Sequence, residues 1–196
     1  MRPPEILEAL APVVEAFEAL GVGYYVGGSV ASSAHGLPRA SLDVDLLAAL
    51  RLEHVAPICS RLEQAYYLDA DRIRDAVTRQ RSFNLIHLET MFKVDVFVST
   101  GRPFDREAIS RTRPEVLGEG ENARAVALAS PEDTILVKLE WFRSGGEASE
   151  RQWADILGVL RVLGMRLDGP YLDRWAAALA VTDLLEKARD EAGAET

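Results

Sequence analysis

Tyr24-Tyr25-Val26-Gly27-Gly28-Ser29, followed by Arg39 and by Ser41-Leu42-Asp43-Val44-Asp45-Leu46, reads as strand, glycine turn, helix, loop and strand. Val30 to Ala34 makes the short helix, closed by Gly36 and Pro38, and Leu42 to Leu47 the second strand. There Leu42, Val44 and Leu46 alternate with Asp43 and Asp45, so the two carboxylates share one face and the apolar side chains the other. A glycine pair between strand and helix opens backbone N–H groups and the positive helix end to an anion. The same pair also suits a plain tight turn at positive φ.

Upstream, Ile6, Leu10, Val13, Phe17 and Leu20 recur at helical spacing from Pro3-Pro4 to Gly21, which predicts an amphipathic helix packed on a sheet. Downstream, Val55, Ile58, Leu62 and Ala65 mark a second such helix, ending near Tyr67. Phe83 to Leu88 and Phe92 to Val98 then read as an antiparallel hairpin turning near Glu89-Thr90. In its second strand Phe92, Val94, Val96 and Val98 face one way, while Lys93, Asp95 and Phe97 face the other. Asp95 is thus a third carboxylate set inside a strand.

The rear of the chain is helical. Ser130-Pro131-Glu132-Asp133 combines an N-cap serine, proline at the first helical position and an acid three residues after the cap. This helix runs to about Arg143 and stops at Gly145-Gly146. A second spans about Ser149 to Leu163, and Gly169-Pro170 opens a last helical stretch with a polar tail after Glu191. Between front and rear, a turn at Gly118-Glu119-Gly120 and a strand at Ala125 to Leu128 are expected. The fold class is mixed α/β (α+β), with a core over 1–129 and a helical subdomain over 130–196.

Asp43 and Asp45 lie near enough to bridge two divalent ions about 3.5–4 Å apart, one activating an attacking hydroxyl and the other neutralising a leaving pyrophosphate. Asp95 completes such a site as ligand or base if its strand lies beside theirs. Alone, Asp-x-Asp also describes the solvated face of a half-buried strand.

Tyr25-Val26-Gly27-Gly28-Ser29, Asp43-Val44-Asp45 and Asp95 within Lys93-Val94-Asp95-Val96-Phe97 together resemble the DNA polymerase β-like nucleotidyltransferase superfamily, in a minimal bacterial form. The resemblance covers roughly Gly21 to Val98. It implies a magnesium-dependent transfer of a nucleoside monophosphate from an NTP to an acceptor hydroxyl, with two Mg²⁺ ions, or Mn²⁺ in their place, on Asp43, Asp45 and Asp95. Gly27, Gly28 and Ser29 would cradle the triphosphate, with Arg39 and Lys138 as auxiliary cations. His35-Gly36 and Arg39 are similar both to antibiotic nucleotidyltransferases and to AbiEii-type toxin enzymes. Lys138-Leu139, Arg151 and Asp155 are similar to the rear signatures of the latter group. That leaves a second reading open, a non-catalytic nucleotide- or partner-binding protein such as one half of a toxin–antitoxin pair.

The rear residues carry bland readings too. Lys138 falls within the stripe of Ile135, Leu139 and Phe142, where an ammonium needs an anion, either a nucleotide phosphate or a structural carboxylate. Arg151 and Asp155, four apart on one helix, suit a local salt bridge. Arg39 serves either a triphosphate or a loop. His35 reads as a helix-end residue rather than a metal ligand.

A formal net charge of −9 argues against broad nucleic-acid binding, which needs many phosphates neutralised by Lys and Arg. The arginines of 72–81 and 102–113 are interleaved with Asp69, Asp71, Asp75, Asp105 and Glu107 and read as solvated surface. A lone Cys59 excludes an intrachain disulfide. Glu5, Glu8, Glu15 and Glu18 interrupt the N-terminal twenty residues, so neither a signal peptide nor a membrane span is expected, and the reading is cytoplasmic. The acceptor stays open among a small molecule, a tRNA end and a protein side chain.

Overall fold

The computed structural model describes residues 3–39, 41, 43–118 and 123–193. They form two compact units, Met1–Gly27 with Ala40–Leu128 and Gly28–Arg39 with Ala129–Thr196. In chain order the elements are α1 (Pro3–Ala19), β1 (Tyr24–Val26), α2 (Gly28–His35), β2 (Asp43–Ala48), α3 (Leu52–Leu62), β3 (Tyr66–Tyr67), α4 (Ala70–Arg79), β4 (Ser82–His87) and β5 (Lys93–Val98). There follow α5 (Pro103–Ser110), β6 (Arg113–Leu117), β7 (Arg124–Leu128), α6 (Pro131–Ser144), α7 (Glu150–Leu163), a 3₁₀ turn at Gly164–Arg166, α8 (Gly169–Ala178) and α9 (Thr182–Gly193).

In the first unit the described strands make a seven-stranded sheet in the order β3-β4-β5-β2-β1-β7-β6. Two neighbouring pairs are parallel, β2 with β5 and β1 with β7, and the others are antiparallel. The sheet is mixed because the β4–β5 hairpin returns its second strand alongside β2. Alternation places Val44, Leu46, Ala48, Val94, Val96 and Val98 on the buried face, none more than 5% exposed. There α1, through Leu10, Val13 and Phe17, and α3, through Val55, Ile58 and Leu62, complete the core. The opposite face of β2 and β5 carries the polar members of the alternation.

Several elements differ from the sequence reading. α3 ends at Leu62, and Tyr66 continues instead as an edge strand opposite His87, its hydroxyl donating to the Ala9 carbonyl at 2.7 Å. The arginine clusters contain two helices. In α4 only Ile73, Ala76 and Val77 are buried, too short a stripe to stand out among charges, yet Asp69 caps its first turn and Asp71–Arg74 and Asp75–Arg79 are paired at helical spacing. In α5, Asp105 is 3% exposed rather than solvated. It accepts from Ser99 Oγ, Thr100 N and Oγ1, and Arg102 Nε, tying the end of β5 to the helix.

The second unit packs α2, α6, α7, α8 and α9 on one another. Ser130 caps α6 as expected, accepting from Asp133 N at 3.1 Å. Asp133 is fully buried and accepts from the Tyr171 hydroxyl at 2.6 Å, so the cap also joins α6 to α8. The last helical stretch is two helices, broken at Ala180 (φ 57°). Leu42 and the Glu119-Gly120 part of the expected turn lie outside the described residues, as do 194–196. Among the described residues no helix is long and apolar enough to cross a membrane.

Candidate active site

The carboxylates meet through strand register. Parallel pairing of β2 and β5 sets Asp45 opposite Asp95 and Asp43 opposite Lys93, and antiparallel pairing of β4 and β5 sets Asn84 opposite Asp95. Asp45, Asp95 and Asn84 therefore form a lateral row across three neighbouring strands, on the face away from the core. Asp43 stands beside the row, two residues before Asp45. The condition that the strand of Asp95 lie next to that of Asp43 and Asp45 is met.

Lys93 belongs to the same face. Its Nζ lies 2.6 Å from Asp95 Oδ2 and 4.0 Å from Asp43 Oδ2. The bond to Asp95 holds the Lys93 pKa above its ordinary value; partial burial opposes this, and the charges of Asp95, Asp43 and Asp45 reinforce it. Ser41 Oγ donates to Asp43 Oδ1 at 3.0 Å and orients that carboxylate.

Three carboxylates are hard oxygen donors of the kind that magnesium or manganese takes. Among the described residues, however, no three His, Cys, Asp or Glu side chains converge closely enough to hold a metal ion. The donor chemistry of Asp43, Asp45 and Asp95 fits a divalent cation, and the charge now facing Asp95 and Asp43 is the Lys93 ammonium.

Beside the row a cleft of about 630 Å³ runs from Asp95 over Ser82 and Asn84 to α4 and to Tyr67. Tyr67 is 67% exposed, an aromatic surface at its edge. The size is that of a small-molecule site.

The glycine turn falls at the chain crossing between the units. Gly27 ends the first: its N–H donates to the Asp45 carbonyl at 2.9 Å, continuing the β1–β2 ladder beside the carboxylates, and is taken by that bond. Gly28 has φ 56°, the left-handed conformation for which glycine is suited, and opens α2. Ser29 follows in the first turn of α2, 5% exposed.

In the second unit Arg39 and Lys138 converge on Asp155. Arg39 donates from Nε to Oδ1 at 2.8 Å and from Nη2 to Oδ2 at 2.9 Å, and Lys138 Nζ donates to Oδ2 at 2.8 Å. The carboxylate that the helical spacing assigned to Arg151 thus turns inward to two other cations. Of the two readings of Lys138, the carboxylate partner is present. Burial raises the Asp155 pKa, but the bonds and charges of Arg39 and Lys138 outweigh it and the net pKa is lowered. His35 Nε2 donates to the Ala129 carbonyl at 2.8 Å, in keeping with a helix-end role.

Sequence reasoning missed the joint partnership of Asp155 and the place of Asn84. The second was within reach, because a hairpin turning near Glu89-Thr90 puts Asn84 opposite Asp95. The first was not, because Arg39 and Asp155 share no local pattern.

Two structures of the antibiotic-resistance factor ANT(2″)-Ia are similar to this chain. The solution structure matches with a TM-score of 0.52 and 14% identity over 94% of this chain and 96% of that one. The crystal structure in complex with adenylyl-2″-tobramycin matches at 0.53 and 14% over 89% and 96%. An antigenic nucleotidyltransferase-like protein from Paracoccidioides brasiliensis is similar at 0.51 and 14% over 94% and 92%. No protein-family model and no curated protein matches the chain. Sheet and flanking helices together give this chain the mixed α/β fold of these nucleotidyltransferase neighbours.

Proposed function

We propose that the protein is a magnesium-dependent nucleotidyltransferase that moves a nucleoside monophosphate from an NTP to a hydroxyl of a small-molecule acceptor, releasing pyrophosphate. The observation that carries this reading is the register of Asp45 with Asp95 across β2 and β5, with Asp43 on the same face. Asp43, Asp45 and Asp95 would hold the divalent ions, which supply Lewis-acid activation of the hydroxyl and charge neutralisation on the phosphates. Asp95, as ligand or base, would accept the acceptor's proton; its position bordering the cleft supports that role. The cleft along Asn84 and Tyr67 takes the acceptor; the adenylylated antibiotic held by ANT(2″)-Ia supports a small molecule in that role.

Gly28 and Ser29 are assigned to the triphosphate from their place directly after Gly27, which supplies the turn rather than a donor. Arg39 and Lys138 are assigned as auxiliary cations, with Asp155 as the carboxylate that positions them. Of the two, Arg39 is the better phosphate donor, since its side chain is 28% exposed and that of Lys138 9%.

Incubating the protein with α-labelled NTPs, magnesium and a panel of hydroxyl-bearing small molecules tests the reading. The wild type should label an acceptor and the Asp43→Ala/Asp45→Ala variant should not, while both keep the same circular dichroism. Equal labelling by the double variant would overturn it.

Lys93 is the specific observation on the side of a non-catalytic reading, in which the fold binds a nucleotide or a partner protein, as in a toxin–antitoxin pair. An ammonium already neutralises Asp95 there. Nucleotide binding by calorimetry that is indifferent to magnesium, without transfer, would favour that alternative.

A further inference from the structure

We infer that Lys93 is the resident counter-ion of the carboxylate row, and that a divalent cation enters by displacing its ammonium. The inference rests on the metal-dependent reading above and concerns how that site is held before metal arrives.

Asp43, Asp45 and Asp95 bring three negative charges onto one face of two adjacent strands. Among the described residues of β2 and β5, Lys93 is a cation on the same face, in register with Asp43 and two residues before Asp95 on its own strand. Its ammonium lies 2.6 Å from one carboxylate and 4.0 Å from another, and so relieves their repulsion.

A divalent ion would need the same oxygens. An ammonium held at hydrogen-bond distance on Asp95 Oδ2 opposes its approach, because the two positive charges repel across a few ångströms. The Lys93 side chain is 41% exposed and rises from the open face of the sheet, so its flexible stem can carry the charge into solvent without opening the core. The exchange is of cation for cation, and the lysine lowers metal affinity by the strength of the ion pairs that must be given up.

The test is Mn²⁺ binding to the full chain, read by electron paramagnetic resonance of the free ion, without nucleotide or turnover. Lys93→Gln should bind Mn²⁺ about three- to tenfold more tightly than wild type, the scale of a partly exposed ion pair together with relieved repulsion. Lys93→Arg, which keeps the charge, should stay within about twofold of wild type by the same reasoning. In metal-free buffer Lys93→Gln should melt below wild type, and Mn²⁺ should raise its melting temperature by more. Equal or weaker Mn²⁺ binding by Lys93→Gln, with wild type binding normally, would overturn the inference and leave the metal-dependent reading standing. So would Lys93→Arg behaving like Lys93→Gln. Absence of Mn²⁺ binding in every variant, wild type included, would overturn both.

Discussion

Arg39 and Asp155, 116 residues apart in sequence, meet in a planar clasp in which Nε and Nη2 of the guanidinium donate to the two carboxylate oxygens at 2.8 and 2.9 Å. Lys138 adds its bond to the same carboxylate, so the loop after α2 and the helices α6 and α7 share one ionic centre. With Asp155 and Lys138 each under a tenth exposed, the centre is sensitive to the loss of any partner.

Asp155→Ala should lower stability by about 3–5 kcal/mol, because it leaves a buried ammonium and a guanidinium facing each other without a counter-charge. Urea unfolding checks this. Arg39→Lys should be destabilising as well, since an ammonium cannot reproduce the two-bond fork. Unfolding midpoints equal to wild type in both variants would show that the centre contributes nothing to stability.

Acid should unfold the protein partly through the same carboxylate. Burial raises the Asp155 pKa, the two cations lower it by more, and the native value lies below that of the unfolded chain. The unfolded state then binds more protons as pH falls, so this contribution is complete above about pH 4 and is lost as pH drops through the native pKa. Urea midpoints taken between about pH 6 and pH 2 should fall less steeply in Asp155→Ala than in wild type. Parallel slopes would place the acid sensitivity elsewhere.

Gly36 should resist substitution. A Cβ there would stand 2.8 Å from Val159 N and 2.9 Å from the Gly158 carbonyl carbon, backbone atoms of α7 that cannot turn aside. Gly36→Ala should therefore cost about 1–3 kcal/mol by forcing α2 and α7 apart. Gly158→Ala is the contrast: its nearest neighbour would be Leu37 N at 3.4 Å, and alanine favours the helix, so its melting temperature should match or exceed wild type. Thermal melts of the two variants side by side decide the matter.

Asp95→Asn should reduce nucleotidyl transfer about 100-fold or more, the scale of losing one group that stabilises transition-state charge, and should leave the fold intact. Asn84→Ala, on the next strand of the row, should raise the KM for the small-molecule acceptor while leaving that for the NTP within about twofold, since the cleft lies on its side of Asp95. Steady-state kinetics with each substrate varied separately the two effects. A matching rise in both KM values would remove Asn84 from the acceptor side.

Much of the fold was open to reading because its signals are local. The alternation in β2 and β5, the glycine turn at positive φ, the Ser130 cap and the stripes of α1, α6 and α7 are each set within a few residues by backbone geometry and apolar spacing. α4 and α5 escaped because three buried residues in ten, or in eight, make a weak periodic signal among charges, and their evidence lies in caps and ion pairs. The break between α8 and α9 escaped because alanine and leucine run through it without a glycine or proline to mark it.

The candidate site divides along the same line. That Asp43 and Asp45 share a face follows from a period of two along one strand and needs no partner. That Asp95 stands opposite Asp45, that Lys93 lies among the carboxylates, and that Asp155 abandons Arg151 for Arg39 and Lys138 are outcomes of pairing between segments distant in the chain. Each is settled by which strand or helix packs beside which, and by the requirement that a buried charge find its opposite wherever folding brings one within reach. Local spacing names the residues able to do chemistry; long-range packing selects their neighbours.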